Sequence, residues 1–393
     1  MKRHVFFSSA VTFALFATTV SAADWPCYLG LNRDLTSTEK GLKLWSGAAA
    51  KVSWKKNVGK GHSSVAVVGQ RLYTQGAGTV WCLDTGTGEV LWSYPPARGK
   101  PNGEETTSTP AVAEGQVFAL NSDGKFLCLD ATNGQLQWSK SVGEFGAKAG
   151  GWPLSGSPLV LGEQVIMDLG VVFVLNRKSG ALVTKMGSET AGYSSAVVFT
   201  RGNEKLVTSF DAAGLAIYRL SGGPPVARFP WETDHRVNAA TPIVSEDKIF
   251  ISSGYDRGCA LLKLEGNTLK KIWEHRQLNN HCQTSLLLKG CLYGVHGQQG
   301  QSSSLKCLDF ETGAVKWEQK GLKVGGGLTL ADGKLFVMVD GGDLLVAEAT
   351  PVGFKPLARA KVLSGTCWTV PVVAHGRVYC RNQAGDLVSV NLR

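Results

Sequence analysis

The 393-residue sequence lacks the cysteine and histidine patterns that mark the common cofactor and metal sites. No two of its nine cysteines are adjacent, and none begins the Cys-x-x-Cys-His segment that attaches haem. No cysteines or histidines stand at the spacing of zinc ligands. Long basic runs and nucleic-acid-binding motifs are also missing. The sequence therefore excludes an attached haem and disfavours metal and nucleic-acid binding.

Long apolar runs are missing everywhere except at the N-terminus. Lys2 and Arg3 precede a mostly apolar stretch from Val5 to Val20, and Val20-Ser21-Ala22 has the small-x-small pattern of a cleavage site. This predicts a secretory signal peptide over residues 1–22, because serines and threonines interrupt the run and it is short for a bilayer span. We expect a periplasmic or secreted protein with no transmembrane segment in the mature chain.

Glycine is abundant, with 48 residues, and several glycines fall in a phrase that the chain repeats. "WCLDTGTGEVLW" at 81–92 returns as "LCLDATNGQLQW" at 127–138 and again at 307–317. The three copies share Asp, Gly and Trp at the same offsets: Asp84, Gly88, Trp92; Asp130, Gly134, Trp138; Asp309, Gly313, Trp317. Weaker copies place the Asp-equivalent positions at 84, 130, 176, 219, 265, 309, 348 and 391, which are 39 to 46 residues apart. We count eight units.

Each unit also carries short runs of Val, Ile and aromatic residues upstream of this phrase, such as Thr241-Pro242-Ile243-Val244 leading to Lys248-Ile249-Phe250. Runs of this kind, broken by Gly, Asp and Asn, are typical of antiparallel strands. About four strands in a period in the forties are the signature of a propeller blade. We predict an all-β, eight-bladed β-propeller over residues 50–393, after an N-terminal extension over 23–49.

The two ends of the repeat region predict how the ring closes. The eighth unit stops at Val390-Asn391-Leu392-Arg393 with no room for its turn and tryptophan, while Lys51 to Lys55 form an orphan strand. We expect this N-terminal strand to complete the last blade, which removes a free edge. One strand ends and the next begins within the repeated phrase, where Asp accepts backbone N–H groups, Gly permits a positive φ and Trp packs between blades.

The repeated phrase resembles the tryptophan-docking motif of quinoprotein propellers, Ala-x-Asp-x-x-x-Gly-x-x-x-Trp. Cys82, Cys128 and Cys307 stand where that motif has alanine. From about residue 50 onward the chain is similar to the PQQ-binding-like repeat family, which contains quinoprotein dehydrogenases and also BamB, a propeller subunit of outer-membrane protein assembly without enzymatic activity. The resemblance implies the fold but leaves the function open.

The dehydrogenases of this family bind pyrroloquinoline quinone on the propeller axis, beside calcium and under a disulfide between adjacent cysteines, with an Asp as base. This sequence has no adjacent cysteines. The carboxylates nearest to the expected axial site are Glu104, Glu105 and Asp234, and we do not favour them as calcium ligands. We therefore expect no cofactor, and a quinone with calcium only under the alternative that the protein is a quinoprotein oxidoreductase or a degenerate relative.

The cysteines that occupy the same repeat position, Cys82, Cys128 and Cys307, are interpreted as small buried hydrophobic residues. A bridge between Cys291 and Cys307 in one blade stays open, and an odd total leaves at least one thiol unpaired. Cys27 follows Asp24-Trp25-Pro26 instead of small aliphatic residues, so we expect no lipid-attachment cysteine.

Residues just before the innermost strand of every blade converge on the central channel. If the protein binds a small ligand, we expect the site there, with polar groups and rings around a funnel: His62, Trp152, Tyr193, Asn238, His281, Gln283 and Trp368. We favour a structural interpretation of these positions, because Ser and Thr there satisfy strand ends and a histidine is more often a hydrogen-bonded packing residue than a catalyst. The sequence leaves both interpretations open, and it indicates no catalytic residue.

Two functions follow from the sequence. We favour a non-catalytic, monomeric, BamB-like propeller that binds another envelope or secreted protein through rim loops, such as the Gln-rich stretch from Gly294 to Ser304. The alternative is the quinone-dependent oxidoreductase. A formal net charge of +10 favours an acidic partner or indicates only a solvated periphery.

Overall fold

The computed structural model describes residues 23–47, 49–95 and 106–393. The predicted signal peptide over 1–22 lies outside the described residues, as do Glu104 and Glu105. Two N-terminal strands, β1 (Thr36–Ser37) and β2 (Val52–Asn57), precede a regular series of sheets. The structure contains eight antiparallel sheets of four strands, one of which is extended by β1, and the predicted eight-bladed propeller is confirmed.

The first four blades follow one another along the chain, each built from consecutive strands in spatial order. Their strands are, for blade 1, β3 (Ala66–Val68), β4 (Arg71–Gly76), β5 (Thr79–Asp84) and β6 (Val90–Tyr94); for blade 2, β7 (Ala111–Ala113), β8 (Gln116–Leu120), β9 (Lys125–Asp130) and β10 (Leu136–Ser141); for blade 3, β11 (Leu159–Leu161), β12 (Gln164–Asp168), β13 (Val172–Asn176) and β14 (Leu182–Met186); for blade 4, β15 (Val198–Arg201), β16 (Glu204–Asp211), β17 (Gly214–Arg219) and β18 (Ala227–Pro230).

The last four blades repeat this order until the chain ends inside blade 8. Their strands are, for blade 5, β19 (Ile243–Ser245), β20 (Lys248–Ser253), β21 (Gly258–Glu265) and β22 (Thr268–His275); for blade 6, β23 (Leu286–Leu288), β24 (Cys291–His296), β25 (Ser303–Asp309) and β26 (Val315–Leu322); for blade 7, β27 (Val324–Ala331), β28 (Lys334–Val339), β29 (Asp343–Glu348) and β30 (Pro356–Lys361); for blade 8, β31 (Val372–Ala374), β32 (Arg377–Arg381) and β33 (Asp386–Asn391).

Burial across a blade explains the residue types of its strands. All five residues of β8 are buried, because a second strand is covered by neighbouring blades on both faces. The outermost strand of the same blade, β10, buries only Trp138 and leaves residues such as Leu136 exposed. Inner strands therefore read as continuous apolar runs, while outer strands carry one anchoring ring among polar residues.

The eight Asp-equivalent positions predicted from the repeat all occupy one structural place. Each is the last residue of the third strand of its blade: Asp84, Asp130, Asn176, Arg219, Glu265, Asp309, Glu348 and Asn391. The repeat phrase therefore marks the hairpin between the third and fourth strands, and the blade count read from it is correct.

The turn of blade 1 shows what the repeated Asp and Gly do. Asp84 Oδ1 accepts the backbone N–H groups of Gly86 at 2.9 Å and Thr87 at 2.8 Å. Gly88 has a φ of +74°, and a Cβ there would lie 2.6 Å from the ring of Trp54. A residue with a side chain is disfavoured here for two reasons: the backbone is left-handed, and its Cβ would clash with the docked ring.

Tryptophan side chains dock each outer strand onto the turn of the next blade. The indole N–H donates to a backbone carbonyl just after the Asp position or its equivalent in that blade: Trp92 to Ala131 at 3.1 Å, Trp138 to Arg177 at 2.8 Å, Trp273 to Phe310 at 3.1 Å and Trp317 to Thr350 at 2.8 Å. These contacts make every such blade depend on its neighbour, as the sequence predicts.

The N-terminal strand closes the ring. β2 pairs antiparallel with β33, placing Lys55 opposite Val388, so the orphan strand completes blade 8 as predicted. Trp54 on β2 then donates to the carbonyl of Thr85 in blade 1, over 2.9 Å. A sheet made from both ends of the repeat region therefore takes part in the same docking as the others.

The residues before β2 cross one face of the ring. Their partners lie within or just after the inner strands of blades 1, 2, 3, 7 and 8: Trp25 with Val67 at 2.8 Å, Pro26 with Val112 at 2.8 Å, Arg33 with Val160 at 2.5 Å, Leu35 with Leu330 at 2.9 Å and Asp24 with His375 at 2.7 Å. The ring of Trp25 is fully buried. The N-terminal extension therefore covers the face of the propeller at which the inner strands end.

Two further features complete the fold. All nine cysteines are free thiols, so the bridge between Cys291 and Cys307 is not formed, and the predicted burial of Cys82, Cys128 and Cys307 is confirmed. Both helices of the described part of the chain are short 3₁₀ turns, Val142–Phe145 and Asp234–Arg236. Neither one, nor any other described segment, is a helix that could span a membrane.

Candidate functional site: a cup on the propeller axis

A cavity of about 460 Å³ lies on the propeller axis. The residues that precede the inner strands contribute to its wall, which explains why positions scattered along the whole chain meet there. Six of the seven predicted site residues line it: His62, Trp152, Tyr193, His281, Gln283 and Trp368. Its size is within the range of about 300–1,000 Å³ that is usual for small-molecule sites.

Asn238, the seventh predicted residue, does not line the cavity. It is fully buried, and its amide donates to the carbonyls of Asp211 at 2.8 Å and Trp231 at 2.9 Å. Its Oδ1 accepts the hydroxyl of Ser253 at 2.7 Å. The two carbonyl contacts tie this residue to blade 4 and the Ser253 contact lies within blade 5, so the structural interpretation applies to this residue.

The cavity is closed at one end and open at the other. Tyr28 reaches it from the N-terminal extension, which covers the face where the inner strands end, and burial raises the pKa of its hydroxyl, which hydrogen-bonds to Thr284. Trp152 lies on the opposite side, before the inner strand of blade 3, and its side chain is 62% exposed. The cavity is therefore a cup, with Tyr28 at its floor and Trp152 at its mouth, and we call it the axial cup.

Ring contacts fix two parts of the wall. The imidazole of His62 stacks on Trp368, with centroids 5.4 Å apart and planes inclined by 18°. His281 meets Tyr255 edge to face, with centroids 5.0 Å apart. Paired rings of this kind hold each other in one orientation, so these aromatic faces are preorganised before any ligand arrives.

Gln283 presents a polar atom without a partner. Its amide N–H₂ donates to the carbonyls of Val324 at 3.2 Å and Gly325 at 2.8 Å, which fixes the direction of the side chain. Its Oε1 is buried and accepts no hydrogen bond, and Trp368 Nε1 is likewise buried without a partner. Unsatisfied buried polar atoms are costly, and a bound ligand or water is the usual reason for their presence.

Burial also sets the protonation of the cup. It lowers the pKa of His281, so the imidazole is neutral at pH 7. It raises the pKa of the Cys282 thiol to about 12 and that of the Tyr193 hydroxyl above its usual value, so neither ionises near neutral pH. These groups donate and accept hydrogen bonds as uncharged side chains.

Some lining residues were not among the predicted ones. Tyr255, Gln299 and Gln383 come from hairpins between second and third strands, which open on the same face as the residues before the inner strands. That topology offered a signal, because the hairpins can be located from the repeat. Tyr28 had no such signal, since the extension does not follow the repeat.

The cup does not fit an anionic quinone with calcium. No described lining residue is Asp, Glu, Lys or Arg, so carboxylates for calcium and cations for the carboxylates of the quinone are both missing from the wall. Asp234 lies exposed in a 3₁₀ turn and is not part of the lining. Across the described residues, no group of His, Cys, Asp and Glu side chains is arranged to hold a metal ion.

Comparison with known proteins places the chain in a family. The model described as outer membrane protein assembly factor BamB matches residues 35–201 and 301–393, more than half of the chain. The protein belongs to this family. The resemblance inferred from the repeated phrase is thereby confirmed, and this BamB family lies within the superfamily of PQQ-like propellers.

Two curated relatives of this BamB-family chain are named as dehydrogenases. It is 26% identical over 163 residues to the polyvinylalcohol dehydrogenase of Sphingopyxis sp. (strain 113P3), and 28% identical over 152 residues to the putative dehydrogenase XoxF of Paracoccus denitrificans. The two alignments cover 36% and 35% of this chain, and 25% of each relative. The aligned segments are therefore about a third of this chain and a quarter of each relative.

Solved structures of both kinds share the fold. BamB from Moraxella catarrhalis superposes with a TM-score of 0.66 at 16% identity, over 87% of this chain and 100% of the other. The quinohemoprotein alcohol dehydrogenase of Comamonas testosteroni gives a TM-score of 0.74 at 12% identity, over 94% and 80%. At these identities the likeness concerns the fold alone.

Proposed function

We propose that this BamB-family chain is a non-catalytic propeller of the cell envelope, periplasmic or secreted, that binds another protein. The observation that carries the proposal is the chemistry of the axial cup, whose described wall offers no ionised side chain for a metal ion or an anionic quinone. The propeller shares the fold of the quinoprotein dehydrogenases, but its described axial wall lacks the donor groups for their cofactor. We therefore expect it to act through its outer surfaces, by binding another protein.

The outer strands support a binding role. Large apolar side chains on them are exposed, and the most exposed pair on one strand is Leu182 at 45% and Val183 at 52% on β14. Each outermost strand ends its sheet and leaves one row of backbone groups without a strand partner in the same sheet. An exposed edge with apolar side chains is the geometry to which a partner adds a strand.

The rim stretch from Gly294 to Ser304 contributes less surface than the sequence suggests. Its ends belong to β24 and β25, and only 297–302 form a loop. Within this loop Gln299 donates to the carbonyl of Gly325 at 3.0 Å, across the mouth of the cup. This loop lies over the axial cup and is partly taken up by contacts there. We therefore place the protein contact on the outer strand of blade 3, which carries the exposed Leu182 and Val183.

Photo-crosslinking tests the proposal. A photoreactive residue at Val183 is expected to give a discrete protein adduct in the source cell, because that side chain stands on an exposed edge. The matched control is Val352, which is 81% exposed but lies in the hairpin between β29 and β30, outside any strand. An adduct pattern that is the same at both positions, or none at Val183 and at the corresponding Leu91, contradicts the proposal.

A calorimetric titration with pyrroloquinoline quinone and calcium tests the alternative function. We expect no binding, because the described lining of the cup contains no Asp, Glu, Lys or Arg. Micromolar or tighter binding at one site per chain, lost in Trp152→Ala, would replace the scaffold by a quinoprotein oxidoreductase and would justify an assay for alcohol oxidation.

A further inference from the structure

The axial cup has features that a protein-binding scaffold does not need. Its floor is built by Tyr28 from the N-terminal extension, and its wall carries buried polar atoms without partners. Protein interiors have few voids larger than a water molecule, so a cavity of about 460 Å³ with buried polar atoms in its wall has room for a small ligand. A ligand in the axial cup and a partner protein on the outer strands would occupy separate parts of the propeller.

Aromatic faces surround the cup from floor to mouth. Tyr28, Tyr193, Tyr255 and Trp368 line it, and Trp152 stands at the opening with most of its ring exposed. An exposed tryptophan at the mouth of a concave site presents an aromatic face to a ligand that enters it. Flat rings of this kind pack against the C–H faces of a ligand while their polar tips stay available for hydrogen bonds.

Neutral hydrogen-bonding groups lie between the rings. Gln283 has an exposed fraction of 2%, and its Oε1 faces no donor although its amide is fixed by two carbonyls. Trp368 Nε1 offers a buried donor without an acceptor, and hydroxyls such as Ser155 and Thr107 line the same wall. A ligand that supplies both hydroxyl donors and hydroxyl acceptors satisfies these atoms together.

The described lining contains no Asp, Glu, Lys or Arg, so nothing in it compensates a ligand charge. A carboxylate, phosphate or ammonium placed there would lose its hydration without gaining a counter-charge. A neutral ligand is therefore favoured. The wall mixes aromatic faces with amide and hydroxyl groups, and this mixture suits a ligand whose surface alternates apolar C–H faces with hydroxyls.

We propose that the axial cup binds a neutral carbohydrate, a sugar unit or short oligosaccharide, whose ring stacks at the Trp152 mouth and whose hydroxyls bond Gln283 and Trp368. Binding is non-covalent. Buried amide and indole groups that gain partners only from the ligand would make the site selective for molecules that carry hydroxyls at matching positions.

Tryptophan fluorescence and calorimetry test the proposal on the purified full chain. The probes are four neutral disaccharides, cellobiose, maltose, lactose and N,N′-diacetylchitobiose, with glucuronate and choline as charged counterparts of similar or smaller size. We expect at least one disaccharide to change the fluorescence and to bind at one site per chain, and glucuronate and choline to bind at least tenfold more weakly.

Two variants locate the binding. Trp152→Ala is expected to weaken disaccharide affinity at least tenfold without altering the unfolding midpoint, because the ring is exposed. Trp81→Ala, which removes a tryptophan outside the cup, is the matched control and should keep the affinity. Gln299→Ala, at the mouth, supplies a second cup variant and is expected to weaken binding by a smaller factor.

Three results would overturn the proposal. One is no signal from any disaccharide up to about 10 mM. Another is binding that Trp81→Ala weakens as much as Trp152→Ala does. The third is tighter binding of choline or glucuronate than of every disaccharide. None of these results bears on the cross-link expected at Val183, so failure of the carbohydrate site and failure of the scaffold function remain distinguishable.

Discussion

The indole N–H of Trp54 donates to the carbonyl of Thr85 over 2.9 Å, and this contact joins the last blade to the first. Both residues occupy the same repeat positions as the other docking pairs. They lie 31 positions apart in the sequence, and the contact between them closes the ring of blades. Only 8% of the Trp54 side chain is exposed. The stability of the whole propeller is therefore sensitive to one ring near the start of the repeat region.

We predict that Trp54→Ala lowers the free energy of unfolding by about 3–5 kcal/mol, because a buried ring and its hydrogen bond are lost from a closure contact. The measurement is the urea unfolding midpoint by circular dichroism. Trp152→Ala, which deletes an exposed ring, should change stability by about 0.5 kcal/mol or less. Equal midpoints for the two variants would show that the closure contact does not limit stability.

Arg381 provides a second link across the closure. Its side chain is 2% exposed and donates to the carbonyls of Ser63 at 2.7 Å, Gln75 at 2.5 Å and Gly59 at 2.8 Å, all in or before blade 1. Three carbonyls thus depend on one guanidinium from blade 8. No acidic side chain is paired with it among the described residues.

We predict that Arg381→Met destabilises the protein by about 3 kcal/mol or more, because several buried carbonyls lose their donor at once. Arg377→Met is the matched control, since that half-buried residue of the same strand makes one 3.3 Å side-chain contact with Ser389. Thermal unfolding followed by circular dichroism compares the two. A smaller loss in Arg381→Met than in Arg377→Met would contradict the role assigned to Arg381.

Thiol chemistry tests the state of the cysteines. Burial raises the pKa of Cys82 to about 11 and of Cys128 and Cys307 to about 12, so these thiols are protonated and shielded at pH 8. We predict that Ellman's reagent reacts slowly with the native protein and titrates nine thiols in guanidinium without reductant. Seven thiols, restored to nine by reductant, would reveal a bridge.

The repeat was readable from the sequence because each blade must present the same turn and docking ring to its neighbour. Asp84 and Trp92 therefore recur at fixed offsets, and the ends of the chain predict closure. The same topology located most of the cup, since residues before inner strands meet on the axis. The direction of Asn238 was not predictable in this way, because its amide is captured by nearby carbonyls. Tyr28 was missed because no repeat governs the extension that carries it.

Asp168 gives the fold a pH dependence that the repeat does not predict. It ends β12, is 3% exposed, and accepts the hydroxyl of Ser209 at 2.7 Å and the backbone N–H of Phe210 at 3.2 Å. Burial raises the pKa of this carboxyl to about 7 in spite of these hydrogen bonds. Burial likewise raises the pKa of neighbouring Asp211 to about 6, although Arg228 lies 3.5 Å from its Oδ2 and lowers it.

The sign of the effect follows from proton binding. An unfolded aspartate loses its proton near pH 3.9, whereas native Asp168 keeps its proton until about pH 7. Between these values the native state binds more protons than the unfolded state, so stability falls as pH rises and is level above pH 7. Three pKa units correspond to about 4 kcal/mol as an upper figure.

We predict that Asp168→Asn reduces this fall, so that the urea midpoint drops less between pH 5 and pH 8 than it does in the unmodified protein. Buried His281, whose pKa is lowered by burial, contributes the opposite slope in both proteins and cancels in the comparison. Asp234→Asn, at an exposed position, is the matched control and should keep the full fall. If Asp168→Asn and Asp234→Asn show the same difference between the two pH values, then Asp168 is ionised across the range and its hydrogen bonds outweigh its burial.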